Sequence, residues 1–534
     1  MRVGALPGRL CGIRRNFTEM STPFSDALFQ LVKSMEKAEK RHFKIYIKRS
    51  SDRQELKVVQ LFDALDAMEE YDERVIFRRI KALNRSKLAN LKTHLYRQLL
   101  SSLRLLKARD NVDLQLSEHL DDARILYNKG LKLQSLKIIE RAKELARENQ
   151  KFNTLVQLIS LEKKIESLHI TRSSTEKTER LATESLEVSR HVERVSRLSN
   201  LALLLYRWYV IHGHTRDQAE EEELLRFFRE QLPADLHRVA GFYEELYLFQ
   251  SYSWYAFIRQ DFLLNYRYAC KWADLYRRHP HMIGIETGHF VKGMHNLLNA
   301  HFALRDFRGF DRTLAAFRQS AALPEVRRHD NFRIHADIYL DNAVVNGHLL
   351  KGTFSEGVRR IPEIEKRLQE YAPFVDTHRI LLFQYKFASL CFGNRDFGKA
   401  VDYTQNIING SAALRPDLQC YARLVLLLSH YELGNYELLE PLSKSAYRFF
   451  RKMRKLTDIE RATFQFLQHS FGYAPAEIRR RLERFHDQVR HFDGSMFETR
   501  SYAYLDIISW AESKLSGNTM ESVIHAKYLS SRRR

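Results

Sequence analysis

The chain has 534 residues, 44% hydrophobic and 29% charged, with a formal charge of +21 at pH 7. An excess this large suits nucleic acid, anionic lipid or an acidic protein as partner. Cys11, Cys270, Cys391 and Cys420 form no CxxC pair, which excludes a disulfide framework and suits a reducing, cytoplasmic compartment. Apolar runs such as residues 201–205 fall far short of the ~20 residues that span a bilayer, so no membrane span is expected.

Valine is sparse, sustained period-two alternation is absent, and ten prolines and twenty glycines are few for this length. The pattern predicts an all-α fold of long helices with short joints. The N-terminus carries Arg2, Arg9, Arg14 and Arg15 but no apolar segment of a secretory signal. Met20 stands just before a good helix entry at Ser21–Asp26. Residues 1–19 are therefore expected outside the fold, as a disordered arm or an over-extended reading frame.

Residues 24–48 read as one amphipathic helix, with Leu28, Leu31, Met35, Ala38, Phe43 and Tyr46 apolar and Ser25 as N-cap. A second helix passes through Val58, Leu61, Phe62 and Leu65, a third covers Glu73–Leu83, and a fourth runs Lys87–Lys107 with a leucine stripe. Residues 20–112 are assigned to a basic N-terminal helical cap, because the end of a repeat stack needs an atypical unit. Hairpins follow over 113–530. The first turns at Lys129-Gly130-Leu131, the next pairs 152–169 with 175–193, and a third spans 195–231 with a turn at His212-Gly213-His214.

Five clear copies come next, turning at Gln260-Asp261-Phe262, Arg305-Asp306-Phe307, Gly352-Thr353-Phe354, Arg395-Asp396-Phe397 and Gly434-Asn435-Tyr436. The aromatics are 45, 47, 43 and 39 residues apart, and Pro280, Pro324, Pro373 and Pro416 follow four of them by 17 to 19 residues. Weaker turns fall at Gly472 and Gly517-Asn518, giving about nine or ten hairpins in all. A turn, an aromatic that opens the second helix and a proline that ends it describe a hairpin, and hairpins repeated at this period stack into a solenoid. Over roughly 113–520 the chain resembles the tetratricopeptide repeats, through Gly434 with Tyr436, Gly352 with Phe354 and Gly357, Phe397 with Ala400, and the prolines. It departs from that family where Asn265, Phe310 and Leu439 take the small-residue position, and its period exceeds the family's usual ~34 residues. The resemblance implies a right-handed α-solenoid that binds a peptide or protein in a concave groove.

Two clusters are candidate binding residues. Residues 74–109 hold eleven cations and no acid, among them Arg74, Arg78, Arg79, Lys81, Arg85, Lys87, Lys92, Arg97, Arg104 and Lys107. Such a block attracts phosphates by counterion release. Acidic neighbours such as Asp63, Asp66 and Glu73 make a merely solvated face the preferred reading, with nucleic-acid binding as the alternative. Residues 242–276 are dense in aromatics, and Tyr243, Tyr247 and Trp254 share one helical face while Tyr268, Trp272 and Tyr276 share another. These suit a peptide groove, although core packing is the commoner use of such rings. His279, His281, Glu286, His289 and His295 gather near a hairpin junction but read as loop histidines without metal. No phosphate loop, dinucleotide fingerprint, nucleophile elbow or kinase signature occurs. The expected function is therefore a non-enzymatic scaffold without cofactor, binding a peptide or an acidic protein segment. The partner's identity and the oligomeric state are not encoded in any motif.

Overall fold

The computed structural model describes residues 27–48, 53–80, 83–109, 111–169, 175–215, 217–233, 241–410, 415–453, 457–468, 473–491 and 505–532. The expected N-terminal extension, Lys81 and the turn at Gly472 lie outside these residues. Among the described residues there are 26 α-helices and no strand. The chain divides into two compact units, Met1–Leu181 and Ala182–Arg534.

The first unit opens with α1 (Ala27–Ser34), α2 (Lys37–Ile47), α3 (Arg53–Ala67), α4 (Glu73–Arg79) and α5 (Arg85–Lys107). The single helix predicted over 24–48 is broken after Ser34. Glu36 adopts extended backbone and forms a capping box with Glu39, whose carboxylate accepts from the Glu36 amide at 2.8 Å. That reciprocal cap satisfies donors that a continuing helix would not leave free. The break lets both α1 and α2 reach one core, where Val32, Phe43, Leu61, Phe62, Leu95 and Leu99 are buried. Three further helices, α6 (Val112–Asn128), α7 (Lys132–Glu148) and α8 (Phe152–Leu168), pack in sequence order. Ser135 anchors α7 to α6 by donating to the Ala123 carbonyl at 2.7 Å.

Next comes α9 (Thr175–His212), which is a single helix of 38 residues. The predicted boundary between 193 and 195 is not observed. No glycine or proline interrupts Thr175–His212, so nothing locally disfavours continued hydrogen bonding. The second unit continues with α10 (Gln218–Gln231), α11 (Phe242–Arg259), α12 (Phe262–Arg278), α13 (Met282–Ile285), α14 (Thr287–Ala303), α15 (Phe307–Ala321), α16 (Pro324–Arg327), α17 (Asp330–Lys351) and α18 (Phe354–Glu370). It ends with α19 (Thr377–Gly393), α20 (Phe397–Ile408), α21 (Pro416–Glu432), α22 (Tyr436–Met453), α23 (Asp458–Gln468), α24 (Pro475–Arg490), α25 (Ile507–Ser516) and α26 (Met520–Arg532). Most neighbours in sequence pack as pairs, and α14, α17, α19 and α21 also pack successively on one another.

The recurring turn has one geometry. Gln260, Arg305, Gly352, Arg395 and Gly434 all lie in the left-handed region, with φ of 62°, 52°, 63°, 64° and 74°. In each copy the next amide donates to a carbonyl five residues back: Asp261 to Ala256, Asp306 to His301, Thr353 to His348, Asp396 to Cys391 and Asn435 to His430, at 2.8–3.0 Å. This closing bond satisfies an orphan carbonyl at the helix end. The following Asp then caps the second helix, with Asp261, Asp306 and Asp396 accepting from the amides of Leu264, Gly309 and Lys399. Gln150-Lys151-Phe152 is a further copy, with Gln150 at φ 58° and Lys151 bonded to Ala146 at 2.7 Å. It lacks a glycine or an Asp cap, so its signal in the sequence is faint.

The recurring prolines fall a few residues beyond the second helix rather than within its last turn. Pro324 and Pro416 occupy the first turn of the next helix and Pro373 lies in a 3-10 turn. At such positions the missing N–H costs nothing, because it has no intrahelical partner anyway.

The C-terminal hairpin returns to the middle of the second unit. Glu521 accepts from the amide and hydroxyl of Ser355, at 3.1 and 2.9 Å, and His525 meets the Lys351 carbonyl at 3.0 Å. Tyr528 packs edge-on against Phe307, with ring centroids 4.9 Å apart. Gly352 is required here twice over. Its φ is positive, and a Cβ would come within 2.7 Å of the His525 amide nitrogen.

Candidate ligand cavity

The basic block of the first unit lies on α4 and α5. Arg74, Arg78, Arg79, Arg85, Lys87, Arg97 and Arg104 are exposed. None of these seven forms an ion pair among the described residues. Two members are engaged: Lys92 meets Glu73 at 3.2 Å and the Tyr71 hydroxyl, and Lys107 meets Glu39 at 2.8 Å. The Lys92 hydrogen bond, followed by that of Tyr71, holds the Glu73 carboxyl below its usual range. On α2, Lys40 and Lys44 pair with Asp66 and Asp63 at 2.6 and 2.7 Å, so the acidic neighbours quiet that lysine face.

The six candidate aromatics separate. Trp272 and Tyr276 are 0% and 2% exposed and belong to the core, with Tyr243 and Tyr268 packed against the same cluster. Trp272 fits there because α14 offers Gly293: a Cβ would sit 2.9 Å from the indole nitrogen. Tyr276 donates to the Glu286 carbonyl at 3.2 Å, and burial, then the Glu286 charge, raises its phenol far above normal. Tyr247 stands edge-on to His289, with centroids 5.5 Å apart. Of the six, only Trp254 borders the cavity described next.

The second unit encloses a cavity of about 1170 Å³. Its walls are one face each of α9, α11, α14, α17 and α19, completed by the start of α21 and by α26. The helical period explains the selection. His289, Lys292, His295, Asn296 and Asn299 recur at steps of three or four on α14, as do Arg379, Leu382, Phe383, Lys386 and Ser389 on α19. The first helix of each hairpin thus faces inward. Six cationic side chains (Lys292, Arg305, Arg379, Lys386, Arg415 and Lys527) line the cavity, against three carboxylates (Glu286, Asp417 and Asp506).

The carboxylates are already engaged. Glu286 accepts from the Tyr243 hydroxyl at 2.6 Å, and Asp506 caps α25 while facing Arg305 at 3.5 Å. Asp417 receives a two-pronged Arg415 guanidinium at 2.8 and 2.6 Å. Burial pushes the Asp417 carboxyl up, but Arg415, helped by His214, brings it well below its normal value. The same guanidinium covers the Tyr209 ring at 4.9 Å.

The basic groups on the inner wall are more exceptional. Lys292 rests over the rings of Tyr206 and Trp254, at 5.2 and 5.8 Å. No carboxylate pairs with it among the described residues. Burial, then the charge of Arg379, lowers its ammonium to about 8. Lys386 is 1% exposed, donates to the Asn342 side-chain oxygen, and is lowered by burial to about 7. His295 stacks on Tyr339 with centroids 4.0 Å apart, and Arg379 donates to the Tyr339 hydroxyl at 2.9 Å. Burial, then the charges of Lys386, Arg379 and Lys292, hold the His295 imidazole well below its normal value. Burial, followed by Lys292 or Arg415 respectively, lowers His289 and His378 to about 4.

His289 and His295 are therefore helix-borne wall residues and not loop residues, whereas His279 and His281 lie in the turn between α12 and α13. Among the described residues no group of three or more His, Cys, Asp or Glu is placed to hold a metal ion. Lys292, Arg379 and Lys386 were absent from the candidates read from sequence. Their only signal there is a cation at helical spacing on an otherwise apolar face, a pattern that solvated helices share. No protein-family model, curated protein or solved structure matches this chain.

Proposed function

We propose that the protein is a non-enzymatic, cytoplasmic binding protein whose second unit takes up an acidic segment of a partner protein. In this reading the hairpins form a right-handed, tetratricopeptide-like stack, and the inward first helices are its concave surface. One observation carries the reading: a cavity larger than most small-molecule pockets whose walls hold twice as many cations as carboxylates. Lys292, with which no carboxylate pairs among the described residues, is a largely buried ammonium whose desolvation costs several kcal/mol, on the order of the values for unpaired buried ions, and an acidic ligand offsets that cost. The rings of Tyr206, Tyr209 and Trp254 supply apolar contact beside the charges.

The test is fluorescence anisotropy of labelled peptides, rich in Glu and Asp or neutral, with the intact chain and with Trp254→Ala. Acidic peptides are expected to bind and to weaken in the variant. Equal binding of neutral peptides, or no binding at all, would refute the reading.

A second reading draws on the seven exposed cations of α4 and α5 that make no ion pair among the described residues. A surface of this kind supports nucleic-acid association by the first unit. Binding should then fall steeply with salt and disappear in an Arg78→Glu, Arg79→Glu variant.

A further inference from the structure

We infer that the inner wall of the cavity is a dedicated oxyanion site, where a carboxylate or phosphate group of the ligand sits against Lys292, Arg379 and Lys386 with His295 as a neutral donor. The inference rests on the cavity being a binding site, as proposed above, but not on the ligand being a peptide.

Three observations support it. First, the three cations come from two helices, α14 and α19, yet they share one locality. The fields of all three bear on the single imidazole of His295, and that of Arg379 bears on Lys292. Like charges brought together in this way repel one another, and nothing in the packing of aliphatic helices requires the arrangement. Asp376 answers part of that charge, meeting Arg379 at 3.6 Å, whereas no carboxylate pairs with Lys292 among the described residues. Clusters of this kind concentrate where a ligand supplies further negative charge.

Second, the hydrogen bonding around His295 is incomplete. Its Nε2 takes the amide of Asn299 at 3.0 Å, and the carboxamide oxygen of Asn299 accepts from Asn346 at 3.2 Å. The proposed site takes the tautomer in which Nε2 accepts from the Asn299 amide and the ring proton sits on Nδ1. Nδ1 is buried and has no partner among the described residues. A buried donor left unpaired is rare in folded proteins, and an oxyanion is the acceptor that would satisfy it. Both polar atoms of the Gln260 carboxamide, elsewhere on the cavity lining, are likewise buried without a partner.

Third, the geometry favours a small hard anion attached to a flat or apolar body. Lys292 presents its charge from the faces of Tyr206 and Trp254, so a group drawn to the ammonium lies beside aromatic surface. Arg379 is steadied by Tyr339, which it both covers at 5.1 Å and hydrogen-bonds. Lys386 is steadied by Asn342. Pre-fixed side chains of this kind lose little freedom on binding, which favours affinity.

The site can be tested by competitive acetylation of the intact protein near pH 8, followed by mass spectrometry of individual lysines. With amines brought down to about 8 and 7, Lys292 and Lys386 should react ahead of the exposed Lys366. The probes are inorganic phosphate, citrate and hexaglutamate, with chloride at matched ionic strength as control. Phosphate, citrate or hexaglutamate should slow labelling of both lysines about tenfold, equivalent to ~1.4 kcal/mol of protection, without affecting Lys366. Protection should be lost in Lys386→Met when read at Lys292, and retained in Lys292→Arg when read at Lys386.

The probes separate the source of the anion: phosphate alone indicates a phosphate ester, citrate and hexaglutamate a carboxylate. If hexaglutamate binds by anisotropy but both lysines stay reactive, the oxyanion site is overturned and the peptide-binding reading stands. Protection by phosphate or citrate with no peptide bound supports the site and overturns that reading. No protection by any of the three probes overturns the site.

Discussion

Replacing Lys386 by Met should stabilise the second unit at acidic pH and lose that advantage in alkali. The side chain is 1% exposed, and burial lowers its ammonium from 10.5 to about 7. In the unfolded chain the amine keeps the higher value and binds its proton more tightly. Below about pH 7 both states are protonated, and the folded state carries the full burden, on the order of 5 kcal/mol. The burden shrinks as pH rises from 7 towards 10.5, where both states become neutral. Between about pH 6 and about pH 9.5 this one group should stabilise the natural protein by about 3 kcal/mol. Met is similar in length and carries no charge, so the variant escapes the burden at every pH. It leaves the Asn342 oxygen without its donor, at a cost of about 1–3 kcal/mol. The net gain is then about 2–4 kcal/mol near pH 6 and close to zero near pH 9.5. Thermal denaturation of both proteins at the two pH values reads the effect as a difference of differences, in which all other titrating groups cancel. A melting-temperature difference that does not change with pH would refute the reasoning, because it would mean that Lys386 is solvated.

Other substitutions probe the frame around the cavity. Arg415→Ala strands the Asp417 carboxylate, whose side chain is 14% exposed, and should cost about 3–5 kcal/mol in denaturant titration, with part of the loss recovered in the Arg415→Ala, Asp417→Ala double variant. Gly393→Ala places a Cβ within 2.4 Å of the Phe354 ring and should cost about 1–3 kcal/mol by forcing α18 from α19, seen as a lowered melting temperature. Asp306→Ala removes both the cap on Gly309 at 2.9 Å and the bond to His301 at 2.8 Å. It should cost about 1–2 kcal/mol, while Asp306→Asn, which keeps the cap, should cost less.

Much of the architecture was legible because it is local. Helices follow from apolar period and from the scarcity of breakers, and the five recurring turns are marked by a glycine at the positive-φ position in two copies and by a capping Asp after it in the other three. These signals act over five or six residues and survive in any context. They weaken where the chemistry is unmarked, as at Gln150-Lys151-Phe152, or where a cap interrupts an apolar stripe, as at Glu36. They misled at 193–195, where an expected joint had no breaker to make it.

The cavity is a different kind of fact. Tyr206, Lys292, Tyr339 and Lys386 lie on four helices, and each alone looks like an ordinary member of an amphipathic face. Trp272 and Trp254 are both rings at helical spacing in one aromatic stretch, yet one is core and the other borders the cavity. The sequence by itself determined which segments are helical, where the chain turns and that the helices pair with their neighbours, since those outcomes depend on backbone dihedrals and local hydrogen bonds. Only the tertiary structure decided which faces turn inward, that α26 returns across 166 residues to Ser355, and that cations of separate hairpins converge on His295. Those outcomes depend on how closely helix axes approach, set by contacts such as Gly293 against Trp272 and Gly393 against Phe354, and such contacts bring together residues that no local pattern connects.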